Sequence, residues 1–188
     1  MKNALILHGT GNNSKGNWFP WLKKELEKRG WKAWVPDLPQ ADKPNIKRYN
    51  KFILRNKDWE FNRNSILIGH SSGAVAILGL LQAMPEETVV DTCILVGSFI
   101  ATDADPDWEQ MKGLFEEPFD FKSIKKKAKR FIFLHSKDDP YCPPEQAEYL
   151  SEKVGGKLIM KENEGHFNLE KRPEYKKFPL VLEILGEK

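Results

Sequence analysis

Between residues 65 and 81 the chain runs from a short apolar stretch, Ile66-Leu67-Ile68, through Gly69-His70-Ser71-Ser72-Gly73 into small and aliphatic residues ending at Leu81. The first stretch is long enough for a buried strand, and the last reads as a buried helix. Reversing from strand to helix within so few residues needs glycine on both sides of the turn. The central serine of this G-x-S-x-G match is then pushed out at the carboxyl end of the strand, where its hydroxyl can attack a carbonyl. The helix amino terminus beneath it favours negative charge. A bare G-x-S-x-G also occurs in ordinary glycine-serine loops; the strand pattern before this one and the helical pattern after it set it apart. Ser72 is the other hydroxyl in the turn, but the spacing puts Ser71 at the apex.

The rest of the chain alternates in the same way. Strands are expected over 4–7, 31–35, 89–96, 131–134 and 157–160. Helices are expected over 18–29 with Gly30 as its cap, 44–55, 122–129, 143–154 and 175–185. This order predicts an α/β fold with a mostly parallel sheet. The segment 100–121 breaks the alternation. It is acidic and aromatic, and is expected to form a short lid over the sheet. The 188 residues suit one domain with a substantial core.

Apolar residues make up 40% and charged residues 30%, an ordinary composition for a soluble globular chain. A net charge of +3 is too small to argue for nucleic acid. The cluster Lys125-Lys126-Lys127-Ala128-Lys129-Arg130 reads as a solvated helix end. No apolar run approaches membrane-spanning length, and the first strand is too short for a signal-peptide core. These features lead to the expectation of a cytoplasmic protein that binds neither membrane nor nucleic acid. Cys93 and Cys142 form no C-x-x-C pair, which argues against a disulfide framework or a zinc site.

A serine hydroxyl needs a base, and the base needs an orienting group. Of the four histidines, His70 adjoins the nucleophile and is expected to point away from its hydroxyl. His8 and His135 sit at strand ends. His166 follows Glu164-Gly165 after the last strand, in a loop that reaches over the sheet edge, and is the candidate base. Asp138 and Asp139 follow the strand over 131–134, and both stand as candidates for the acid. The order serine, aspartate, histidine is the chain order of α/β-hydrolases. The expected oxyanion donors are the amides of Ser72 and of Thr10, in the loop after the first strand. That loop is neither a phosphate loop, which needs lysine after Gly16, nor a dinucleotide fingerprint, which needs glycine where Ser14 stands.

Several stretches together resemble a family: His8-Gly9, Asn17-Trp18-Phe19-Pro20-Trp21-Leu22, Pro36-Asp37-Leu38-Pro39, the elbow, Asp138-Asp139-Pro140-Tyr141-Cys142-Pro143 and Gly165-His166-Phe167. The chain is similar, over nearly its whole length, to the small serine hydrolases of the YdeN and retinoblastoma-binding protein 9 type. The resemblance implies an α/β-hydrolase fold, a three-layer sandwich with a short lid, and a Ser71, Asp139, His166 triad. The family's acid loop has proline four residues after the aspartate, which selects Asp139 over Asp138. No L-x-C-x-E motif occurs here, so a retinoblastoma-type partner is not carried over.

The expected function is a serine hydrolase acting on a small carboxylic ester or amide, with no metal or organic cofactor. The competing expectation is a binding module on a hydrolase scaffold, which places no demand on all three triad members. Trp18, Phe19, Trp108 and Phe115 are the candidate walls of an apolar, shallow substrate pocket.

Overall fold

Runs of Ile, Leu, Val and Phe with no polar alternation have to be buried on both faces, which a parallel sheet between two helical layers provides. The computed structural model describes every residue except 102, 171, 187 and 188. Its elements, in chain order, are β1 (Asn3–Leu7), α1 (Phe19–Lys28), β2 (Lys32–Trp34), α2 (Ile46–Leu54), β3 (Ser65–His70), α3 (Ser72–Ala83) and β4 (Val90–Val96). There follow α4 (Trp108–Met111), α5 (Phe121–Ile124), β5 (Ala128–Ser136), α6 (Pro144–Val154), β6 (Lys157–Lys161) and α7 (Pro179–Gly186). The strands lie in the order β2-β1-β3-β4-β5-β6, with every neighbouring pair parallel.

Alternate strand residues feed two cores. Leu5, Leu7, Leu67, Leu95 and Phe133 face α2, α3 and α6 on one side. Ala4, Ile6, Ile68, Val96 and Leu134 face α1 and α7 on the other. The chain leaves β1 toward β2 in one direction and leaves β3 toward β4 in the other. The helices that follow β1 and β3 therefore lie on opposite faces, and a crevice opens at the carboxyl ends of these two strands. Both the Thr10 loop and the Ser71 turn emerge there.

Three expectations change. The helix expected over 122–129 stops at Ile124, is followed by a single 3-10 turn, Lys125–Lys127, and gives way to β5 from Ala128. The ladder from Val90↔Ala128 onward overrides the helix propensity of the lysines. Cross-strand pairing also explains how Asp91 stays within β4, since its carboxylate meets Lys129 Nζ at 2.9 Å. The helix expected over 175–185 divides into a 3-10 turn, Pro173–Lys176, and α7, because Pro179 lacks an N–H and so begins a helix rather than continuing one. Finally, the basic cluster is not all solvated. Lys127 is buried, and its Nζ donates to the carbonyls of Met84 (3.1 Å) and Pro85 (2.5 Å) at the end of α3. Among the described residues, no helix is long and apolar enough to cross a membrane.

Removing the Lys127 ammonium takes the donor from the Met84 carbonyl, while the Pro85 carbonyl keeps the Thr88 N–H at 3.0 Å. Lys127→Ala is expected to lower the unfolding free energy by about 1–3 kcal/mol, against about 0.5 kcal/mol or less for exposed Lys126→Ala. Urea denaturation of both variants measures the difference, and equal losses would contradict the role given to Lys127.

Candidate active site

Ser71 is the single residue between β3 and α3, with φ 57° and ψ −127°, outside the regions an L-residue prefers. Its own backbone holds it there. Its N–H donates to Val96 O at 2.8 Å, and its carbonyl accepts from the Ala74 N–H at 2.8 Å. The flanking glycines are a matter of space. A Cβ at position 69 would lie 2.6 Å from the backbone of Ala74, and one at position 73 would lie 2.5 Å from the carbonyl oxygens of Leu7 and His8. Without side chains there, the first turn of α3 packs directly on β1 and β3.

The Ser72 amide is the first N–H of α3, where no intrahelical carbonyl can reach it. Thr10 stands across from it, and its amide has no main-chain acceptor among the described residues. The Thr10 hydroxyl bonds Ser72 Oγ at 2.9 Å and touches Met111 Sδ at 3.6 Å. His8 pins the start of this loop. Its Nε2 accepts from the Leu38 N–H at 3.0 Å, so the ring proton sits on Nδ1 and is donated to Gly9 O at 2.9 Å. Burial lowers the pKa of His8 and favours this neutral form.

His166 Nδ1 meets Asp139 Oδ2 at 2.7 Å, and both side chains are almost completely buried. The other carboxylate oxygen accepts from the N–H groups of Tyr141 (2.9 Å) and Cys142 (3.1 Å). Burial alone would raise the pKa of Asp139, but the His166 bond and charge with the two amides outweigh it and hold the carboxyl below its usual range. Asp138 does something else. Its Oδ1 accepts from Ser136 Oγ (2.5 Å) and from the Gly165 N–H (2.9 Å), which braces the loop that carries His166. The two adjacent carboxylates thus face different groups.

Two residues inside the stretches quoted above support His166, a role their motifs do not reveal. His70 Nε2 donates to the His166 carbonyl at 2.7 Å, with the two rings 4.8 Å apart. Burial, and then the nearby His166, push the His70 pKa down to about 3, so the ring stays neutral. Its place inside the turn, next to the serine, was the one signal available. Tyr141 lies edge-on to the His166 ring at 5.1 Å, and its hydroxyl donates to Glu170 at 2.5 Å.

Ser71, His166 and Thr10 line one cavity of about 460 Å³, together with Phe99, Ile100 and Met111 and a polar rim that includes Asn12, Asn17 and Gln146. None of the four expected aromatic walls belongs to it. Trp18 and Phe19 are fully buried between α1 and the sheet, their rings 4.6 Å apart. Trp18 Nε1 donates to Phe167 O at 3.0 Å, which makes it a clamp on the His166 loop. In the cap over 100–121, of which residue 102 lies outside the described residues, Trp108 stacks on Phe115, and Phe115 meets Phe99 and Phe119 edge-on. The aromatics of this segment are partly buried against one another, and Phe115 and Phe119 also pack on the small cluster around buried Leu114. The cavity is consequently more polar than those four residues would have made it.

The serine hydrolase family matches residues 4–187. The putative hydrolase YdeN of Bacillus subtilis is 28% identical over 98% of this chain and 94% of its own length. Its crystal structure superposes with a TM-score of 0.89 at 26% identity, covering 99% of this chain and 97% of that one. Serine hydrolase RBBP9 of Rattus norvegicus is 26% identical over 87% of this chain and 86% of its own length. An esterase of Exiguobacterium antarcticum, 17% identical with a TM-score of 0.71, covers 100% of this chain and 92% of its own and shares the fold. That fold is the α/β-hydrolase fold.

The lowered pKa of Asp139 has a consequence for stability. A carboxyl held below its unfolded value contributes stability above about pH 3.9, which is lost as pH falls through the folded value. Asp139→Asn is therefore expected to flatten the acid limb of the unfolding free energy, by at most about 1.4 kcal/mol per pH unit. Parallel acid limbs in denaturant titrations would show a carboxyl indifferent to folding.

Proposed function

The chain belongs to the serine hydrolase family, and on that premise we propose that it cleaves a small carboxylic ester or amide through an acyl intermediate on Ser71. The observation that carries this reading is the His166–Asp139 hydrogen bond, buried beside the cavity that also receives Ser71. With Nδ1 engaged by the carboxylate, the His166 ring offers Nε2 to the serine proton. Asp139 orients the ring and stabilises the imidazolium that forms. The amides of Thr10 and Ser72 take the oxyanion of the tetrahedral intermediate. The imidazolium then protonates the leaving group, and water, activated by the same base, releases the acid. The strained backbone of Ser71 favours this reading over a purely binding role, which gains nothing from holding a serine at positive φ.

The cavity, at about 460 Å³, lies toward the small end of ligand pockets and has a polar rim, so it suits a short acyl group. Each further CH₂ adds up to about 0.8 kcal/mol only while there is apolar wall to cover it.

A fluorophosphonate probe is expected to label Ser71 alone, as located by peptide mass spectrometry. An adduct on Ser72, or none on active protein, would contradict the assignment. Asp139→Asn should lower kcat by about 10⁴, as an analogous change does elsewhere, and Asp138→Asn far less. Equal losses would mean that the loop brace matters as much as the ring contact. Across p-nitrophenyl esters, kcat/KM should peak between acetyl and hexanoyl, and Met111→Ala should move that optimum. A maximum at dodecanoyl or beyond would require a tunnel that this cavity does not provide.

A further inference from the structure

The acid loop brings a thiol to the carboxylate and imidazole that the proposed mechanism uses. One ligand atom each from Asp139, Cys142 and His166 lie within 4.8 Å of one another. Cys142 has no part in the acyl-transfer scheme except through its backbone N–H. It is buried under the cap, in a small cluster with Val75, Phe99 and Leu114. We propose that these three side chains form a binding site for a thiophilic divalent cation, Zn²⁺ or Cd²⁺, whose occupation switches the enzyme off. The ligand set stands on geometry alone; its effect on activity rests on the serine-hydrolase reading.

The donor set is one that such cations use. Thiolate and imidazole select zinc-like ions, and hard cations such as Mg²⁺ and Ca²⁺ instead seek six or more oxygens. Zinc bonds of about 2.0–2.3 Å to N, O and S imply ligand atoms roughly 3.3–3.7 Å apart in a tetrahedral site. Atoms already within 4.8 Å therefore need to close by at most about 1.5 Å. Charge also balances, because a 2+ ion meets one carboxylate and one thiolate in a buried place. One proton, that of the Cys142 thiol, leaves for each ion bound. The ion replaces the hydrogen bond between His166 Nδ1 and Asp139 Oδ2, so the neutral imidazole binds through the Nδ1 lone pair and its single proton moves to Nε2.

A second layer of contacts holds these ligands. Asp139 Oδ1 is fixed by the Tyr141 and Cys142 amides. The Cys142 carbonyl is bonded by His135 Nε2 at 2.8 Å, from a ring that is fully buried. Cys142 and His166 both line the cavity that contains Ser71, which gives an ion a way in and leaves a fourth position open to solvent. Three protein ligands and one open position make an exchangeable site rather than a closed structural one. An ion there takes the base and its orienting carboxylate together, so Ser71 loses its activation.

The test follows the ultraviolet charge-transfer band of a cadmium thiolate while Cd²⁺ is titrated into the whole chain. One equivalent is expected to saturate the band. Cys142→Ala, which leaves buried Cys93 as the remaining thiol, is expected to abolish it, and His166→Gln, which removes a ligand, to weaken Cd²⁺ affinity at least tenfold. In parallel, micromolar Zn²⁺ or Cd²⁺ should slow fluorophosphonate labelling of Ser71 at least tenfold, and Mg²⁺ should not. Relative to its own metal-free rate, Cys142→Ala should need at least tenfold more cation for the same slowing. Should the alanine variant fail to fold, Cys142→Ser, which keeps nearly the same volume, serves the same comparison. No band, a band that survives loss of Cys142, or inhibition unchanged in the variant overturns the proposal. A chain that no probe labels overturns the hydrolase reading, while the cadmium band still decides the ligand set.

Discussion

The structure depends on a backbone contact with no side chain in it. The first turn of α3 lies against the carboxyl ends of β1 and β3 so closely that neither position 69 nor position 73 has room for a Cβ. Ser71 takes up the reversal at φ 57° and is tied to β4 through Val96 O. Because β3 is paired on both sides, the strain is held by the whole sheet and cannot relax locally. The same contact brings the Thr10 loop, which follows β1, up against the amino terminus of α3. One steric constraint thus sets the positions of the serine and of both candidate oxyanion donors.

The other half of the site is built differently. His166 sits on a loop with no ladder of its own, and its position comes from long-range bonds. Asp138 holds Gly165, His70 holds the His166 carbonyl, and Trp18 holds the Phe167 carbonyl. Each is a donor or acceptor matched to a backbone group that would otherwise be buried without a partner. Together these bonds leave the ring free to turn Nδ1 to Asp139. Substitutions at these braces act on the histidine without touching substrate.

The cap contributes less area than its aromatic content suggests. Its rings pack on one another, and the apolar residues it gives the cavity are Ile100, Ala101, Pro106 and Met111 rather than Trp108 or Phe115. Met111 touches Thr10 Oγ1, so the cap rests on the loop that follows β1. Leu114 packs over α3 with Cys142, which ties the cap to the acid loop as well.

The sequence by itself determined the alternation of strands and helices, the parallel sheet, the elbow with Ser71 at its apex, and His166 as the histidine of the last loop. Each of these rests on a pattern a few residues long: hydrophobic period, glycines around a turn, or strand-end position. It left Asp138 and Asp139 open until a family resemblance chose between them, because adjacent carboxylates in one loop differ only in what lies across from them. Tertiary structure decided that Asp139 meets the His166 ring and Asp138 the Gly165 amide. It also decided that Trp18 and Phe19 are core, that Lys127 is buried against the end of α3, and that β5 begins at Ala128. The reason is distance along the chain. Trp18 finds its acceptor 149 residues away and His70 finds its own 96 away, and no local pattern records a partner that only folding brings near.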